Sequence, residues 1–366
     1  MIERADPWSE VADADWLDWR WQLRNGLRGE ALCSHFDLPA AAAAVAADSE
    51  AFATGVTPWF ARLCRPDELA CPLRLQVAPD GAERRRAPFE MADPLGEEPH
   101  RVAPGVVRKY PDRVLLLVTD TCAAYCRFCT RSRWVAGDGS ALDGAGLDAA
   151  IAWIAAEPRI ADVLISGGDP LLLSNRRLDA LLDRLAAIDH LRLIRIGSRV
   201  PIFLPMRIDA GLVHALRPRR VPIWLNVHIN HHRELEPTLT GERLAALADA
   251  GVPLGGQTVL LRGVNDDVDT LRETFYAMVQ RRVRPYYLLH CDPVLGTAHL
   301  RVPVRRGLEL MAAINGHVSG MAVPKYCVDL EGGGKVALTS DNVERVDQHT
   351  LRITGFDGVA RLYPDQ

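Results

Sequence analysis

Val114-Leu-Leu-Leu-Val118-Thr-Asp-Thr-Cys122-Ala-Ala-Tyr-Cys126-Arg-Phe-Cys129 joins an apolar run to three cysteines that fall within eight residues. The apolar run predicts a buried β-strand, so the cysteines should lie where that strand ends. A closed structural site takes four protein ligands, whether it holds zinc or an iron–sulfur cluster, so three cysteines leave one metal position open for chemistry. The pattern indicates an enzyme with an open iron–sulfur site. A zinc knot or a group of buried free thiols is the alternative.

Strand-like and helix-like stretches alternate from about residue 113 onward. Apolar runs typical of strands occur at 113–118, 161–166, 191–196, 222–228, 253–261 and 285–290, and helix-like stretches lie at 147–156, 177–188, 210–216, 242–250 and 270–279. Six β/α units predict an α/β fold in which a parallel sheet with right-handed crossovers closes partly into a (β/α)6 barrel.

Three segments follow from this pattern. Residues 1–105 are predicted to be a helical N-terminal segment, 106–320 the partial barrel, and 321–366 a C-terminal segment. The last segment contains the loop Gly332-Gly-Gly-Lys335 and a β-hairpin that turns at Gly355-Phe-Asp-Gly358.

Polar residues follow or end each predicted strand, where a simple core would not need them. They are the cysteines, Ser166-Gly-Gly-Asp169, Gly197-Ser-Arg199, Asn226 with His228, Gln257, and His290-Cys-Asp292. Because the C-terminal strand ends of a β/α barrel converge on one mouth, one site should gather all six groups. The two glycines of the second group should also leave backbone N–H groups unobstructed for a charged ligand.

Composition places the chain among ordinary globular proteins and excludes several classes of function. It has 366 residues, of which 48% are hydrophobic and 25% charged, and a net charge of −4 gives no reason to expect a nucleic acid partner. No apolar run long enough for a membrane span and no signal peptide is found, which predicts a cytoplasmic protein. In that compartment the cysteines outside the first motif should be packed thiols: Cys33, Cys64, Cys71, Cys291 and Cys327.

Several ordered stretches resemble the lysine 2,3-aminomutase family of radical S-adenosylmethionine (SAM) enzymes. They are Tyr110-Pro-Asp-Arg-Val-Leu-Leu-Leu, Tyr125-Cys-Arg-Phe-Cys-Thr-Arg, Leu164-Ile-Ser-Gly-Gly-Asp, Arg195-Ile-Gly-Ser-Arg, Gly251-Val-Pro-Leu-Gly, Val259-Leu-Leu-Arg-Gly-Val-Asn-Asp and Arg284-Pro-Tyr-Tyr. The likeness runs from about Trp16 to about Tyr363. It implies an isomerase that uses a [4Fe–4S] cluster, SAM and pyridoxal 5′-phosphate (PLP) to move the α-amino group of a free basic amino acid to Cβ.

The resemblance implies L-lysine as the substrate and L-β-lysine as the product. Arginine or another basic amino acid is one alternative substrate, and a lysine attached to a protein is another. An electron donor such as flavodoxin or ferredoxin, and a homo-oligomer, expected to be a dimer, are implied as partners.

The resemblance also assigns roles to individual residues. Its cluster ligands correspond to Cys122, Cys126 and Cys129, and its PLP-bearing lysine to Lys335. Residues near SAM would be Ser166, Gly167, Gly168, Asp169, Ser198, His228 and Gln257, and those flanking PLP would be Lys109, Tyr110 and Arg113. Arg131 would bind the substrate carboxylate, and Asp292 with Asp329 would bind the distal ammonium. A bidentate guanidinium suits a carboxylate, and two carboxylates in one pocket require a cation between them, although structural ion pairing is the alternative for the aspartates.

The sequence departs from the family pattern in three places. Asp267 occupies the position of a family cysteine that ligates zinc together with a C-terminal tail, so no zinc is predicted and the family's usual tetramer is not expected. The loop that ends at Lys335 is one residue shorter than in the family, and Ser132 interrupts a trio of arginines after the third cysteine. The shorter loop could change substrate preference by shifting Asp329 or Lys335.

Overall fold

The computed structural model describes residues 7–48, 52–65, 68, 70–135, 142–339, 341–355 and 357–365. The helices are α1 (Asp13–Trp16), α2 (Trp19–Arg24), α3 (Gly29–His35), α4 (Ala40–Ala46), α5 (Pro58–Ala61), α6 (Gly144–Ala156), α7 (Asn175–Ala186), α8 (Val200–Phe203), α9 (Ala210–Ala215), α10 (Thr238–Asp249), α11 (Val268–Gln280) and α12 (Val304–Ile314). The strands are β1 (Arg101–Ala103), β2 (Val106–Val107), β3 (Arg113–Thr119), β4 (Asp162–Gly167), β5 (Leu193–Ser198), β6 (Ile223–His228), β7 (Leu254–Leu260), β8 (Val283–His290), β9 (Lys325–Leu330), β10 (Gly334–Ala337), β11 (Val343–Arg345), β12 (Thr350–Thr354) and β13 (Ala360–Pro364).

Ten strands form one sheet in chain order from β1 to β10. The strands from β3 to β9 run parallel, while β1, β2 and β10 pair antiparallel at the two ends. The six predicted strands correspond to β3–β8, and the five predicted helices to α6, α7, α9, α10 and α11, so the prediction of an α/β fold with a parallel sheet is confirmed. The strand β9, reached through α12, is a seventh parallel strand that the six-unit pattern did not include.

Alternating burial along the strands distinguishes the sheet face that packs into the core from the opposite face. In β4, Val163 and Ile165 are buried, whereas the alternate residues Leu164 and Ser166 are only partly buried. The helix α7 starts at its N-cap Ser174 and buries one row of leucines, each worth about 1.5–3 kcal/mol relative to exposure. Because one strand face packs against the helices, the other is free to carry polar groups.

The two terminal segments differ in detail from the prediction. Helices occupy parts of residues 13–61, but the described residues between 62 and 107 contain short 3-10 turns and the β1–β2 hairpin instead. At the C-terminus, the predicted hairpin is β12–β13, which β11 extends to a three-stranded antiparallel sheet, and Phe356 in its turn lies outside the described residues. In the part of the chain that is described, no helix has the length and apolar character needed to cross a bilayer.

The two ends of the large sheet meet. The Lys109 Nζ atom lies 3.3 Å from the Asp329 Oδ1 atom, and the Lys335 backbone N–H donates to the Tyr110 hydroxyl at 2.6 Å. Residues between β2 and β3 therefore contact residues of β9 and β10 directly.

Candidate active site

A cavity of about 550 Å³ lies within the curve of the sheet and is lined by residues from β2 to β10 and the loops between them, together with Leu95 and Glu97 from the segment before β1. It gathers every residue to which the sequence assigned a role: Lys109, Tyr110, Arg113, Cys122, Cys126, Cys129, Arg131, Ser166, Gly167, Gly168, Asp169, Ser198, His228, Gln257, Asp292, Asp329 and Lys335. At least one residue of each of the six predicted strand-end groups lines this cavity, but Asn226, His290 and Cys291 do not, and the role of each residue stays a prediction.

The cysteine loop is anchored from outside by the N-terminal segment. The N–H of Tyr125 donates to Gly55 O at 2.9 Å, and the N–H of Arg127 donates to Gln76 O at the same distance. The buried Arg127 guanidinium also binds the Glu83 carboxylate. Cys122, Cys126 and Cys129 in this loop all line the cavity.

The three thiols are suited to bind a cluster, because its iron ions would supply the positive charge that stabilises buried thiolates. Burial, with repulsion from neighbouring cysteines, raises the pKa of Cys122, and burial likewise raises the pKa of Cys129 to about 11. Among the described residues, no three His, Cys, Asp or Glu side chains are placed to hold a single metal ion. A [4Fe–4S] cluster does not require such a group, because each cysteine binds a different iron.

The glycines after β4 permit close packing between two backbone segments. A Cβ on Gly167 would lie 2.2 Å from Thr119 O, and a Cβ on Gly168 would lie 2.3 Å from Thr121 O. The N–H groups of Gly168 and Asp169 donate to these same carbonyls at 2.5 and 2.8 Å. The expectation of N–H groups open to a ligand is therefore wrong for these two residues, since the cysteine loop already uses them.

The Asp169 carboxylate joins the ends of β4 and β5. Its oxygens accept hydrogen bonds from the Ser198 hydroxyl at 2.7 Å and from the backbone N–H groups of Leu171, Arg199 and Val200. Burial raises the pKa of Asp169, and these hydrogen bonds act against that effect. Its carboxylate thus holds the cavity wall in place.

Lys335 and Asp329 are direct cross-strand partners in the antiparallel β9–β10 pair. This register places both side chains on one face, where the Lys335 Nζ atom lies 2.8 Å from Asp329 Oδ2. Burial opposes the charged amine, but the adjacent carboxylate outweighs burial and raises the pKa of Lys335. The Lys335 ammonium also lies 5.5 Å from the centre of the Tyr287 ring. The amine is thus held as part of an ion pair.

The two aspartates differ in their surroundings. Burial alone would raise the pKa of Asp329, yet Lys335 and Lys109 hold it below its usual range. Burial, with repulsion from Asp329, raises the pKa of Asp292 to about 7. No described side chain donates a hydrogen bond to the Asp292 carboxylate, so this carboxylate can accept one from a ligand.

Arg131 is positioned by an acidic residue that sequence reasoning missed. Its guanidinium binds the buried Glu97 carboxylate through Nε at 3.1 Å and Nη2 at 2.6 Å, and Nη1 lies 3.4 Å from the Ser166 hydroxyl. Glu97 lies in a turn without periodic pattern, so no sequence signal pointed to it.

The remaining predicted residues occupy other parts of the wall. The Arg113 guanidinium stacks 3.8 Å from the centre of the Tyr110 ring, and the His228 imidazole pairs with Asn230 at 3.0 Å. His231 and His232 are not among the lining residues, and His231 Nδ1 accepts a hydrogen bond from the Arg233 N–H at 3.2 Å. The five cysteines outside the motif are free and buried, as expected of packed thiols, and Asp267 caps α11.

The loop before Lys335 predicts a difference between two glycine substitutions. Gly332 and Gly334 both have positive φ, at 64° and 65°, but a Cβ on Gly334 would lie 2.7 Å from the Tyr110 hydroxyl whereas a Cβ on Gly332 meets nothing. Gly332→Ala should cost about 1–2 kcal/mol of backbone strain. Gly334→Ala should cost more and also weaken PLP retention. Chemical denaturation and bound PLP measure these effects, and equal losses in both variants would rule out a role for the Tyr110 contact.

Three cysteines and a lysine–aspartate pair, gathered in one cavity of a parallel sheet, define a cofactor-dependent α/β enzyme. Comparison with known proteins names the family. No protein-family model matches the chain. The L-lysine 2,3-aminomutase of Fusobacterium nucleatum is 41% identical over 358 residues, which cover 97% of this chain and 84% of that protein. The L-lysine 2,3-aminomutase of Clostridium subterminale is 40% identical over 369 residues, covering 100% and 88%.

The chain therefore belongs to the lysine 2,3-aminomutase family. A glutamate 2,3-aminomutase of Clostridioides difficile is a more distant relative, with 34% identity over 329 residues that cover 89% of this chain and 77% of that protein. The expected family membership is confirmed.

Proposed function

We propose that this protein is a 2,3-aminomutase that converts L-lysine to L-β-lysine. The proposal rests on the side chains that line one cavity. There the Asp292 carboxylate lies open beside the Lys335–Asp329 pair. Arg131 and the three cysteines line the same cavity. Family membership supports the same reaction.

The residues fit the cofactors of such a reaction. Cys122, Cys126 and Cys129 would hold a [4Fe–4S] cluster, Lys335 would hold PLP, and the wall from Ser166 to Asp169 with Ser198, His228 and Gln257 would face SAM. When bound, the reduced cluster and SAM supply a radical that removes hydrogen from an unactivated carbon, and PLP supplies the unsaturated system across which nitrogen migrates.

The protein groups orient the substrate and control protons around it. The Nη1 side of Arg131 faces Ser166 while Glu97 binds its other side, which leaves a fixed cation for the substrate carboxylate. Asp292 accepts the distal ammonium. Asp329 orients the Lys335 amine and stabilises its protonated form, so Lys335 must give up that proton before it can act as a nucleophile.

The aspartates favour a cationic side chain over an anionic one. The side chain of glutamate, the substrate named for the more distant relative, would bring a third carboxylate toward Asp292 and Asp329. Arginine remains an alternative substrate, because the Asp292 carboxylate can accept a guanidinium as well as an ammonium, while Asp329 is paired with Lys335 and Lys109.

We also propose the finer architecture and partners. The contacts of Lys109 and Tyr110 with Asp329 and Lys335 support a sheet curled into a partial barrel, with segments 1–105, 106–320 and 321–366 as its divisions. A flavodoxin or ferredoxin as electron donor and a homodimer remain proposals.

An anaerobic assay tests the function. Cluster-reconstituted protein with PLP, SAM and dithionite receives equal L-lysine, L-arginine, L-ornithine and L-glutamate, and β-amino acids are read by mass spectrometry against standards. β-Lysine as the main product supports the proposal. β-Arginine as the main product would support the 2,3-aminomutase reaction but show that arginine, not lysine, is the substrate. Formation of 5′-deoxyadenosine without any β-amino acid would contradict the proposal.

Glu97 gives a test of how the substrate carboxylate is bound. Glu97→Gln removes the charge that orients Arg131 but keeps a hydrogen-bonding side chain, so the KM for L-lysine should rise about tenfold while kcat changes little. Glu98→Gln is the control, because exposed Glu98 pairs with Arg101 at 2.9 Å and with Arg133 at 3.6 Å rather than with Arg131. Equal KM values in Glu97→Gln and the unmodified enzyme would contradict the orienting role.

A further inference from the structure

Arg199 is a buried cation at the end of β5 that the proposed reaction does not use. Its side chain is 6% exposed and its guanidinium lies 4.3 Å from the centre of the Phe203 ring. The backbone is fixed because the N–H groups of Arg199 and Val200 both donate to Asp169 Oδ2, at 2.7 and 3.0 Å. The position of this arginine is therefore set by the same carboxylate that joins β4 to β5.

The guanidinium connects a cysteine to a buried acid. Its Nη1 atom donates to the Cys126 Sγ atom at 3.0 Å, and its Nη2 atom lies 3.0 Å from Glu234 Oε1 and also contacts Gln76. Glu234 is completely buried and accepts further hydrogen bonds from Gln76 Nε2 at 2.8 Å and from the Asn230 N–H at 3.1 Å.

Simple stabilisation is a weak explanation for this arrangement. Taking both charges of an ion pair out of water costs several kcal/mol per ion, and well-packed apolar residues often serve as well. Glu234 is not a lining residue of the cavity, so it acts on the site only through its neighbours. The distinguishing feature of the pair is that one N–H group of its arginine ends on a cysteine sulfur.

An N–H donor and a positive charge at a cluster sulfur have a defined electrostatic effect. Adding one electron to a [4Fe–4S] cluster increases its negative charge, which spreads onto the cysteine sulfurs. Hydrogen bonds to those sulfurs and nearby charges are among the factors that set cluster potentials. In a buried site these interactions are stronger than in water.

We propose that Arg199, held by Glu234, raises the reduction potential of the cluster by donating a hydrogen bond to Cys126. Arg199 is thus a positioning residue that acts through a cluster ligand, and Glu234 moderates its charge. The inference rests on the proposed function, because it requires a cluster on Cys122, Cys126 and Cys129. The step concerned is the gain of one electron by the cluster from an external reductant, with no bond made or broken in the protein.

The test is an anaerobic potentiometric titration of the reconstituted protein, without substrate, followed by electron paramagnetic resonance of the reduced cluster. Arg199→Gln should lower the potential by an amount equal to a tenfold fall in the equilibrium constant for reduction, which is 59 mV for one electron. In Arg199→Lys the reduction potential should fall by less, because lysine keeps the positive charge. Glu234→Gln should shift the potential upward, because the buried cation then lacks its counter-charge.

A matched control separates this effect from the loss of any buried arginine. Arg207 is 1% exposed and bonds to Leu173 O, and its guanidinium contacts no cysteine, so Arg207→Gln should leave the potential unchanged. Iron and sulfide content is measured first, and a wild-type protein that assembles no cluster would overturn the proposed function itself. If Arg199→Gln loses its cluster, Arg199→Lys and Glu234→Gln decide the question. Potentials that do not move in these variants, or that move equally in Arg207→Gln, would overturn the inference.

Discussion

Lys335→Ala should lose both PLP retention and formation of the β-amino acid, down to background. The lysine is the only group in the proposed mechanism that can attach PLP to the protein, and no neighbouring amine replaces it because Lys109 is bound to Leu95 O and Asp329. The fold should survive this change, since Lys109 still compensates the Asp329 carboxylate when Lys335 is absent. Visible absorbance after desalting measures retained PLP.

Two variants make the loss at Lys335 interpretable. Lys335→Arg keeps a cation beside Asp329 but cannot carry PLP, so it should be as inactive as Lys335→Ala. Lys325→Ala removes an exposed lysine from the same strand pair and should retain both PLP and activity. An active Lys335→Arg enzyme would show that charge, and not attachment, is what this position supplies.

Asp292 should make lysine binding depend on pH near neutrality. With a pKa of about 7, its carboxyl is protonated below that pH and then cannot pair with an ammonium. The KM for L-lysine should therefore rise as pH falls below about 7, by close to tenfold per pH unit, and level off above it. The charged groups facing Asp292 are Asp329, which raises its pKa, and Lys335, Arg301 and Lys109, which lower it.

Substitutions assign this pH dependence to its source. Asp292→Asn should raise the KM about 10- to 100-fold at pH 8 and abolish the dependence on the acid side. Asp329→Asn removes the repulsion from Asp329 and frees both lysines, so the inflection should move to lower pH. An inflection that stays near pH 7 in Asp292→Asn would assign the titration to another group.

The sequence predicted those parts of the site in which each residue is placed by its own strand. The cysteines, Ser166-Gly-Gly-Asp169 and His228 each follow or end a strand with a clear apolar pattern, and parallel strands bring such ends together whatever their separation in sequence. The strand positions followed from the same apolar pattern, because burial on one face dictates it.

Features that depend on pairing between distant segments could not be predicted this way. Lys109 and Asp329 are 220 residues apart and meet only because the sheet curves. Glu97 reaches Arg131 from a turn, and the role of Gly168 depends on where Thr119 packs. Arg199 was within a quoted motif, but its contact with Cys126 depends on a side-chain conformation that the motif does not encode.

The meeting of the two sheet ends has a consequence for biosynthesis. Gly55, Gln76 and Glu83 anchor the cysteine loop and leave the ribosome before it, while Gly168, Asp169 and Arg199, which also contact this loop, follow it long before β10. Lys335 follows Tyr110 by 225 residues in the sequence, so the contact between them can form only after β10 has been translated. The partners of the cysteine loop are therefore all present in a nascent chain well before the chain has a place for PLP.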